Sequence, residues 1–495
     1  MPFADILQPS VIVPWILAMA FGHFVGATPG LTATMGVALI VPLTFYMGDP
    51  VAGLAMIIGV SFTAIFAGDI PATYLRIPGT PASAAATLDG HQLARQGKAG
   101  LALYLDLFCS CLGGLIGVAL LIVLAPQLAK FALKFSNFEY FWLAVFGLSM
   151  SAVVSVGATW KGLLAAALGV LLATVGIDVV SGVPRFTFNN VELTSGLSFI
   201  PAMIGLFGLS EVLRSLARPG EIKQTEIEHQ EKTRSIQTLL VIWRHKWLVL
   251  RSSLLGTFIG ALPGAGADIA AWAAYGIAQR TSKQAGQFGK GSIEGVIAPT
   301  SANNAAVGGA WIPALVFGIP GDSVTAIVLG ALIMYNIKPG PLLFEQNAGQ
   351  VQAIFWIALL TQLFLIPSGY LMIKAFAWIM RVPRSLIMTG VVLFSVVGAF
   401  GLKNSLFDVW VMIAFGLLGF FLESQKVPLP PLILGLILGP MLEEHLRTGL
   451  IKTSGSFLPF LTRPICAVLV TLLALVFAAP IISRWRQWRA SSKSA

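Results

Sequence analysis

The stretch Ile70-Pro71-Ala72-Thr73-Tyr74-Leu75-Arg76-Ile77-Pro78-Gly79 returns as Ile312-Pro313-Ala314-Leu315-Val316-Phe317-Gly318-Ile319-Pro320-Gly321, with identical spacing between its Ile-Pro-Ala and Ile-Pro-Gly ends. Upstream, Phe24, Gly26, Ala27, Pro29 and Gly30 return as Phe258, Gly260, Ala261, Pro263 and Gly264. Downstream, Lys98 and Gly100 return as Lys338 and Gly340, and Pro201, Gly205, Leu206 and Glu211 resemble Pro431, Gly435, Leu436 and Glu443. Matches in one order along the chain read as two copies of one design.

These strings interrupt long apolar runs. The 495 residues are 56% hydrophobic and 11% charged, against about 25% charged in soluble domains. The runs are continuous rather than alternating, which predicts helices instead of barrel strands. About 12 of them suit a bilayer core that needs roughly 20 apolar residues per helix. Those at 266–279 and 322–336 are too short to span alone and read as half-helices or re-entrant segments. The expected fold is an all-α polytopic membrane protein of two homologous repeats with broken or re-entrant helices.

The expected organisation is a first repeat over 1–216, a polar linker over 217–246, a second repeat over 247–450, and an extra helix with a basic tail over 451–495. The turn at Asp49-Pro50 lacks basic residues, whereas its counterpart carries Arg280, Lys283 and Lys290. The chain starts with only Asp5, whereas the second half starts with Arg244, Lys246 and Arg251. Basic loops stay cytoplasmic, so equivalent loops are expected on opposite sides. That favours inverted repeats, a periplasmic N-terminus, and a cytoplasmic linker and tail. Residues 1–9 show no basic n-region, so no cleavable signal is read. The net charge of +10 is spread between apolar runs, which argues against a nucleic-acid patch. Cys109, Cys111 and Cys466 lie within such runs and give neither a disulfide framework nor zinc spacing.

Proline and glycine break the same place in each half, at Thr28-Pro29-Gly30-Leu31-Thr32-Ala33-Thr34 and Leu262-Pro263-Gly264-Ala265-Gly266-Ala267-Asp268. Proline removes a backbone donor and glycine permits an unwound chain. Unwound backbone at membrane depth is tolerated only where protein or a water-filled cavity satisfies it. Paired breaks in two halves therefore point to a transport site, and each following half-helix aims N–H groups at an anion. A plain kink is the alternative for any single break.

Pro299 through Gly309 is the most polar intramembrane run, with Ser301, Asn303 and Asn304 able to ligate a cation, hold a carboxylate or bond neighbouring helices. Asp268 and Asp322 each follow a Pro-Gly turn and suit either a proton or sodium ion or a helix cap. Arg76 suits a bidentate contact to a carboxylate, or snorkelling to the interface. Asp69, Asp106 and Asp178 read as end-of-helix charges, His23 as a packed histidine, and Asp89 to Lys98 as a loop that is a solvated connection or a partner contact. Candidate substrate positions are Gly30, Thr32, Thr34, Arg76, Gly79, Thr80, Ser83, Gly264, Gly266, Ser301, Asn303, Asn304, Gly321 and Ser323. Candidate coupling-ion positions are Asp268, Asp322, Asn303 and Asn304.

With those residues in view, the chain resembles the large membrane subunit of the tripartite tricarboxylate transporters, the TctA type, over nearly its whole length. The resemblance rests on Gly26 to Thr34, Tyr74 to Gly90, Gly260 to Asp268 and Pro299 to Asp322. It implies a bacterial inner-membrane permease that imports tricarboxylates or other small carboxylates. It also implies a periplasmic substrate-binding protein, a small membrane subunit, and a sodium or proton gradient in place of ATP. No P-loop occurs, and no cofactor is implied. A stand-alone carboxylate transporter is the alternative. A membrane-embedded enzyme is disfavoured, because no Asp-x-x-Asp pair stands at a helix end and no Gly-x-Ser-x-Gly has a partnered histidine.

Overall fold

The computed structural model describes residues 6–154, 159–217, 235–379 and 381–491. Among them the principal helices are α1 Pro9–Ala27, α2 Ala33–Tyr46, α3 Pro50–Ala67, α4 Asp69–Leu75, α5 Ala84–Arg95, α6 Ala99–Ala132, α7 Asn137–Val154 and α8 Thr159–Ala173. They continue as α9 Phe199–Ala217, α10 Ser235–Arg244, α11 Lys246–Gly260, α12 Gly266–Thr281, α13 Ile293–Phe317, α14 Ser323–Met334 and α15 Ala348–Ile379. The series closes with α16 Arg384–Gly401, α17 Leu406–Ser424, α18 Leu429–Lys452 and α19 Pro464–Ser491. A two-residue strand pair, β1 Gly176–Ile177 and β2 Pro184–Arg185, is antiparallel.

Seven of the described helices are long and apolar enough to cross a membrane, and five shorter apolar ones include α2 and α14. Exposed Leu17, Phe258, Leu371 and Trp410 give these helices apolar outer faces, as lipid contact requires. The protein is an all-α, multi-pass membrane protein. Of the expected linker, residues 218–234 lie outside the described part, and from Ser235 the chain is already helical as α10.

The chain forms two compact units. One comprises Met1–Lys130 and Ser198–Ser424, the other Phe131–Leu197 and Gln425–Ala495. In the first unit, α1 packs along α3 and α11 along α13. These pairs use matching close approaches. A β-carbon on Gly26 would lie 2.2 Å from the Ala64 carbonyl oxygen, and one on Gly260 would lie 2.1 Å from that of Ala306. One turn earlier, Gly22 meets Val60 and Gly256 meets Ala302 in the same way. Small residues let transmembrane helices approach until dispersion and backbone contacts hold them. The two copies read in the sequence thus carry the same helix-pair geometry.

The ends of the copies pair reciprocally. Gly205, inside a single π-turn of α9 (Ile204–Leu209), would bring a β-carbon to 2.2 Å from Met412 O on α17. Its sequence counterpart Gly435 on α18 would come within 2.3 Å of Ala166 O on α8. A helix of the first copy is thus seated on the second, and a helix of the second on the first.

The second unit is held by α7, α8, α18 and α19. Phe138, Phe141, Phe460 and Cys466 form its core. The Arg463 guanidinium lies 2.7 Å from the buried Glu139 carboxylate. The apolar run at 428–442 does not end its helix. α18 continues to Lys452, and Glu443 and Arg447 are engaged along it. Arg185 donates two hydrogen bonds to Glu443, at 2.6 and 2.9 Å, and Arg447 bonds both Asp178 and Glu443. Asp178 is no helix-end charge. It closes the β1–β2 turn by accepting from Val180 N at 2.8 Å and Ser181 Oγ at 2.5 Å. The Ser181 hydroxyl, then the Arg447 guanidinium, hold its carboxyl well below the usual carboxylate range.

Candidate functional site where the helix breaks meet

Four interruptions lie in the first unit, two per copy. Between α1 and α2, Gly30 adopts φ 93° and Thr32 caps α2 by accepting from Met35 N at 3.1 Å. Between α11 and α12, Gly264 and Gly266 adopt φ 79° and 64°. These left-handed values favour glycine and account for its recurrence beside Pro29 and Pro263. The third break runs from Arg76 to Thr80, ahead of a short 3-10 turn at Pro81–Ser83. The fourth runs from Gly318 to Asp322, ahead of α14.

The breaks are locked in pairs. A β-carbon on Gly79 would sit 2.0 Å from Gly26 O, and one on Gly321 would sit 2.4 Å from Gly260 O. The Ile-Pro-Gly strings recur because each glycine lies flat against the end of the preceding hairpin. Gly264 N also donates to Gly321 O at 2.8 Å. Contacts then cross between copies. α12 packs on the Pro81–Ser83 turn and α5, and α14 packs on α2.

Asp268 and Asp322 flank Gly266, whose β-carbon would lie 3.2 Å from Asp268 Oδ1 and 3.3 Å from Asp322 Cβ. Asp322 closes a capping box with Thr325, accepting from its backbone N–H and its hydroxyl at 2.7 Å each. Asp268 lies in the first turn of α12 and is exposed. Gly30, Thr32, Thr34, Gly264, Asp322 and Ser323 retain partial accessibility, whereas Gly79, Thr80, Ser83, Gly266 and Gly321 are buried. Backbone N–H groups, hydroxyls and two carboxylates therefore stand at the helix ends that border these breaks, and they offer donors to an anion and oxygens to a cation.

Arg76 is exposed and caps α4 with φ 59°, so it lies at the surface end of its break. Ser301, Asn303 and Asn304 are fully buried in α13. Asn303 accepts from Asn304 N at 2.6 Å and donates through Nδ2 to Asp69 Oδ2 at 3.2 Å. Its partner is thus Asp69. The Asn304 side-chain amide has no hydrogen-bond partner among the described residues. Thr80 and Ser83 hydroxyls bond one another at 3.0 Å. His23 is packed as expected, 2.9 Å from Ser368 Oγ and edge-on to Phe66.

Two expectations are corrected. Asp89 to Lys98 is no solvated loop. Its first part lies in α5, with Asp89, His91, Leu93 and Ala94 buried. Asp89 accepts from Tyr275 Oη at 2.9 Å, Gly291 N at 2.9 Å and Ser292 N at 2.7 Å, and His91 Nδ1 bonds Thr73 O at 3.0 Å. Asp89 and His91 bond other segments, whereas Arg95, Gln96 and Lys98 at its end are exposed. Asp106 likewise stands within α6 rather than at its end, and is buried. Periodicity gave no sign of either role, because both depend on contacts far along the chain.

Long apolar helices, a doubled hairpin and convergent breaks define a polytopic membrane protein of transporter build. Residues 12–434 match the tripartite tricarboxylate transporter TctA family, and the chain belongs to that family. It is similar, at 35% identity over 97% of this chain and 94% of the relative, to an uncharacterised 52.8 kDa protein in the TAR-I ttuC' 3' region of Agrobacterium vitis. It is also 36% identical, over 44% of this chain and 90% of the relative, to an uncharacterised protein in the TAR-II ttuC' 3' region of the same organism. No solved structure matches. Family membership makes the chain a membrane transporter subunit.

Proposed function

We propose that this chain is the permease subunit of a receptor-dependent secondary transporter that imports tricarboxylates or other small carboxylates. The observation that carries the reading is that the segments following the breaks pack across the copies, α12 on the Pro81–Ser83 turn and α14 on α2, with Asp268 and Asp322 flanking Gly266. A carboxylate fits the half-helix N–H groups and the hydroxyls of Thr32, Thr80 and Ser83. A cation at Asp268 and Asp322 removes the repulsion those carboxylates would exert on an anionic substrate and couples the two ligands. Sodium suits this oxygen-rich place.

A periplasmic receptor and a small membrane subunit complete the assembly in the bacterial inner membrane. The copies are read as inverted, with the N-terminus periplasmic and the 217–246 linker and C-terminal tail cytoplasmic, from the asymmetry of basic residues. The test is reconstitution of this chain with the neighbouring small subunit and receptor in proteoliposomes. Labelled carboxylate should accumulate only with receptor outside and an inward cation gradient. Accumulation without receptor would favour a stand-alone transporter, and ATP-dependent uptake would overturn the reading.

A further inference from the structure

We propose that Asp69 and Asp106 share one proton, forming a protonation site separate from the Asp268 and Asp322 pair. The proposal rests on the transporter reading above and adds a second coupling ion to it. Asp69 opens α4 and Asp106 lies on α6, each about 1% exposed. Their carboxyl groups face one another. Asp69 Oδ2 accepts from the Asn303 amide on α13, and Ser83 Oγ also faces Asp69. Asp106 Oδ1 accepts from Ser110 Oγ at 3.3 Å. Asp69 Oδ1 and Asp106 Oδ2 remain, buried and without a donor among the described residues.

Two ionised carboxylates in contact inside a membrane protein repel strongly, and unpaired intramembrane charge is costly. A proton between the two orphan oxygens converts that repulsion into a carboxylic acid–carboxylate hydrogen bond and satisfies both. The Asn303 amide and the Ser110 hydroxyl donate to the other two oxygens, Asp69 Oδ2 and Asp106 Oδ1, so the remaining negative charge is stabilised. Other groups leave the role open. The thiol facing Asp106 belongs to Cys109, which also faces Ser301. The imidazoles of the adjacent helices are engaged elsewhere, His23 with Ser368 and His91 with Thr73. Asp89 is satisfied by Tyr275, Gly291 and Ser292.

The fold does not demand acid here. Gly79 packs on Gly68, and Gly321 packs in the same way on Ala310. The next residue is Asp69 in one copy and Trp311 in the other, and Trp311 is buried. The place that holds Asp69 is filled in the second copy by an aromatic ring. A buried acid pair in one copy alone is therefore an addition to the helix design. Its position beside Ser83, next to the Thr80 break, ties it to the segment that the Proposed function assigns to the carboxylate.

Two measurements test the proposal on the complete transporter. The first needs no transport. Infrared spectra of the purified subunit at neutral pH should show a protonated carboxyl carbonyl band that disappears in Asp69→Asn and in Asp106→Asn. A band unchanged in both, or absent from the wild type, overturns the shared proton. The second uses proteoliposomes with a trapped pH dye and equal sodium on both sides. Wild type should acidify the lumen as carboxylate enters, and Asp106→Asn should exchange carboxylate while moving no protons. Proton entry at the wild-type ratio in either folded variant, or uptake with sodium and no proton in the wild type, overturns the coupling role. If the band behaves as expected but no carboxylate moves in the wild type, the transporter reading fails and the coupling role with it. Either single variant suffices, so failure of one to reach the membrane leaves the other decisive.

Discussion

The amide of Gly264 donates to the carbonyl oxygen of Gly321 at 2.8 Å, tying the two breaks of the second copy through their backbones. No side chain takes part, so the bond depends on how closely the segments approach. Gly321 permits this by lying against Gly260 O and Ala310. In the first copy Gly79 N bonds Gly68 O at 3.0 Å instead, which leaves the Gly30 break free of that tie.

Gly79→Ala and Gly321→Ala should each destabilise the protein by about 1–3 kcal/mol or more, since overpacking against backbone cannot be relieved by a side chain moving. Gly276→Ala is the control, because nothing lies within 4 Å of its β-carbon position and alanine favours helix. Thermal unfolding in detergent should separate the two break variants from the control. Equal midpoints would remove the packing argument.

Asp268→Asn and Asp322→Asn should weaken the cation dependence of carboxylate uptake, by roughly 5–150-fold in apparent affinity if the ligands are coupled. Asp322→Asn keeps an acceptor for Thr325 and should fold. A double variant that reaches the membrane and retains wild-type cation dependence would leave both residues as helix caps.

Asp89→Ala should be the most damaging change outside the breaks, because Tyr275, Gly291 and Ser292 all lose their acceptor. Tyr275→Phe removes one hydrogen bond to a carboxylate and should cost about 1.5–3 kcal/mol. Asp89→Asn retains a carbonyl oxygen for the two backbone donors and should fall between wild type and Asp89→Ala. Membrane yield and unfolding midpoint rank the three, and an Asp89→Ala protein as stable as wild type would contradict this hub.

Asp178 gives a pH dependence with a defined sign. Its folded-state value lies below the usual one, so its contribution is complete above the ordinary carboxylate value of about 3.9. The contribution fades as pH falls through and below that value toward the folded-state one. Unfolding midpoints followed from neutral pH into that acid range should fall less for Asp178→Asn than for wild type. Parallel curves would show that the Ser181 and Arg447 bonds carry no linkage.

Much of this was legible in residues alone. The Pro-Gly pairs at 29–30, 78–79, 263–264 and 320–321 marked both copies and all four breaks, because proline and glycine limit backbone geometry wherever the chain runs. The short apolar runs at 266–279 and 322–336 became α12 and α14, each set off by a break. The polar run of α13 was legible as buried, but its partner was not. Asn303 was grouped with Asp268 and Asp322, and the structure hands it to Asp69, which lies 234 residues away.

By itself the sequence determined which long apolar segments are helical, where they break and that the design is doubled, since each depends on local covalent geometry or on apolar length. The tertiary structure decided which acids meet. Asp89 was read as loop and Asp106 as a helix end because their neighbours in sequence are uninformative. Their hydrogen-bond partners come from helices far along the chain, and a buried carboxylate is defined by those donors rather than by its own segment. The reciprocal seating of Gly205 on α17 and Gly435 on α8 was likewise hidden. A glycine in a helix announces that a backbone can come close, and only the packed fold says which one.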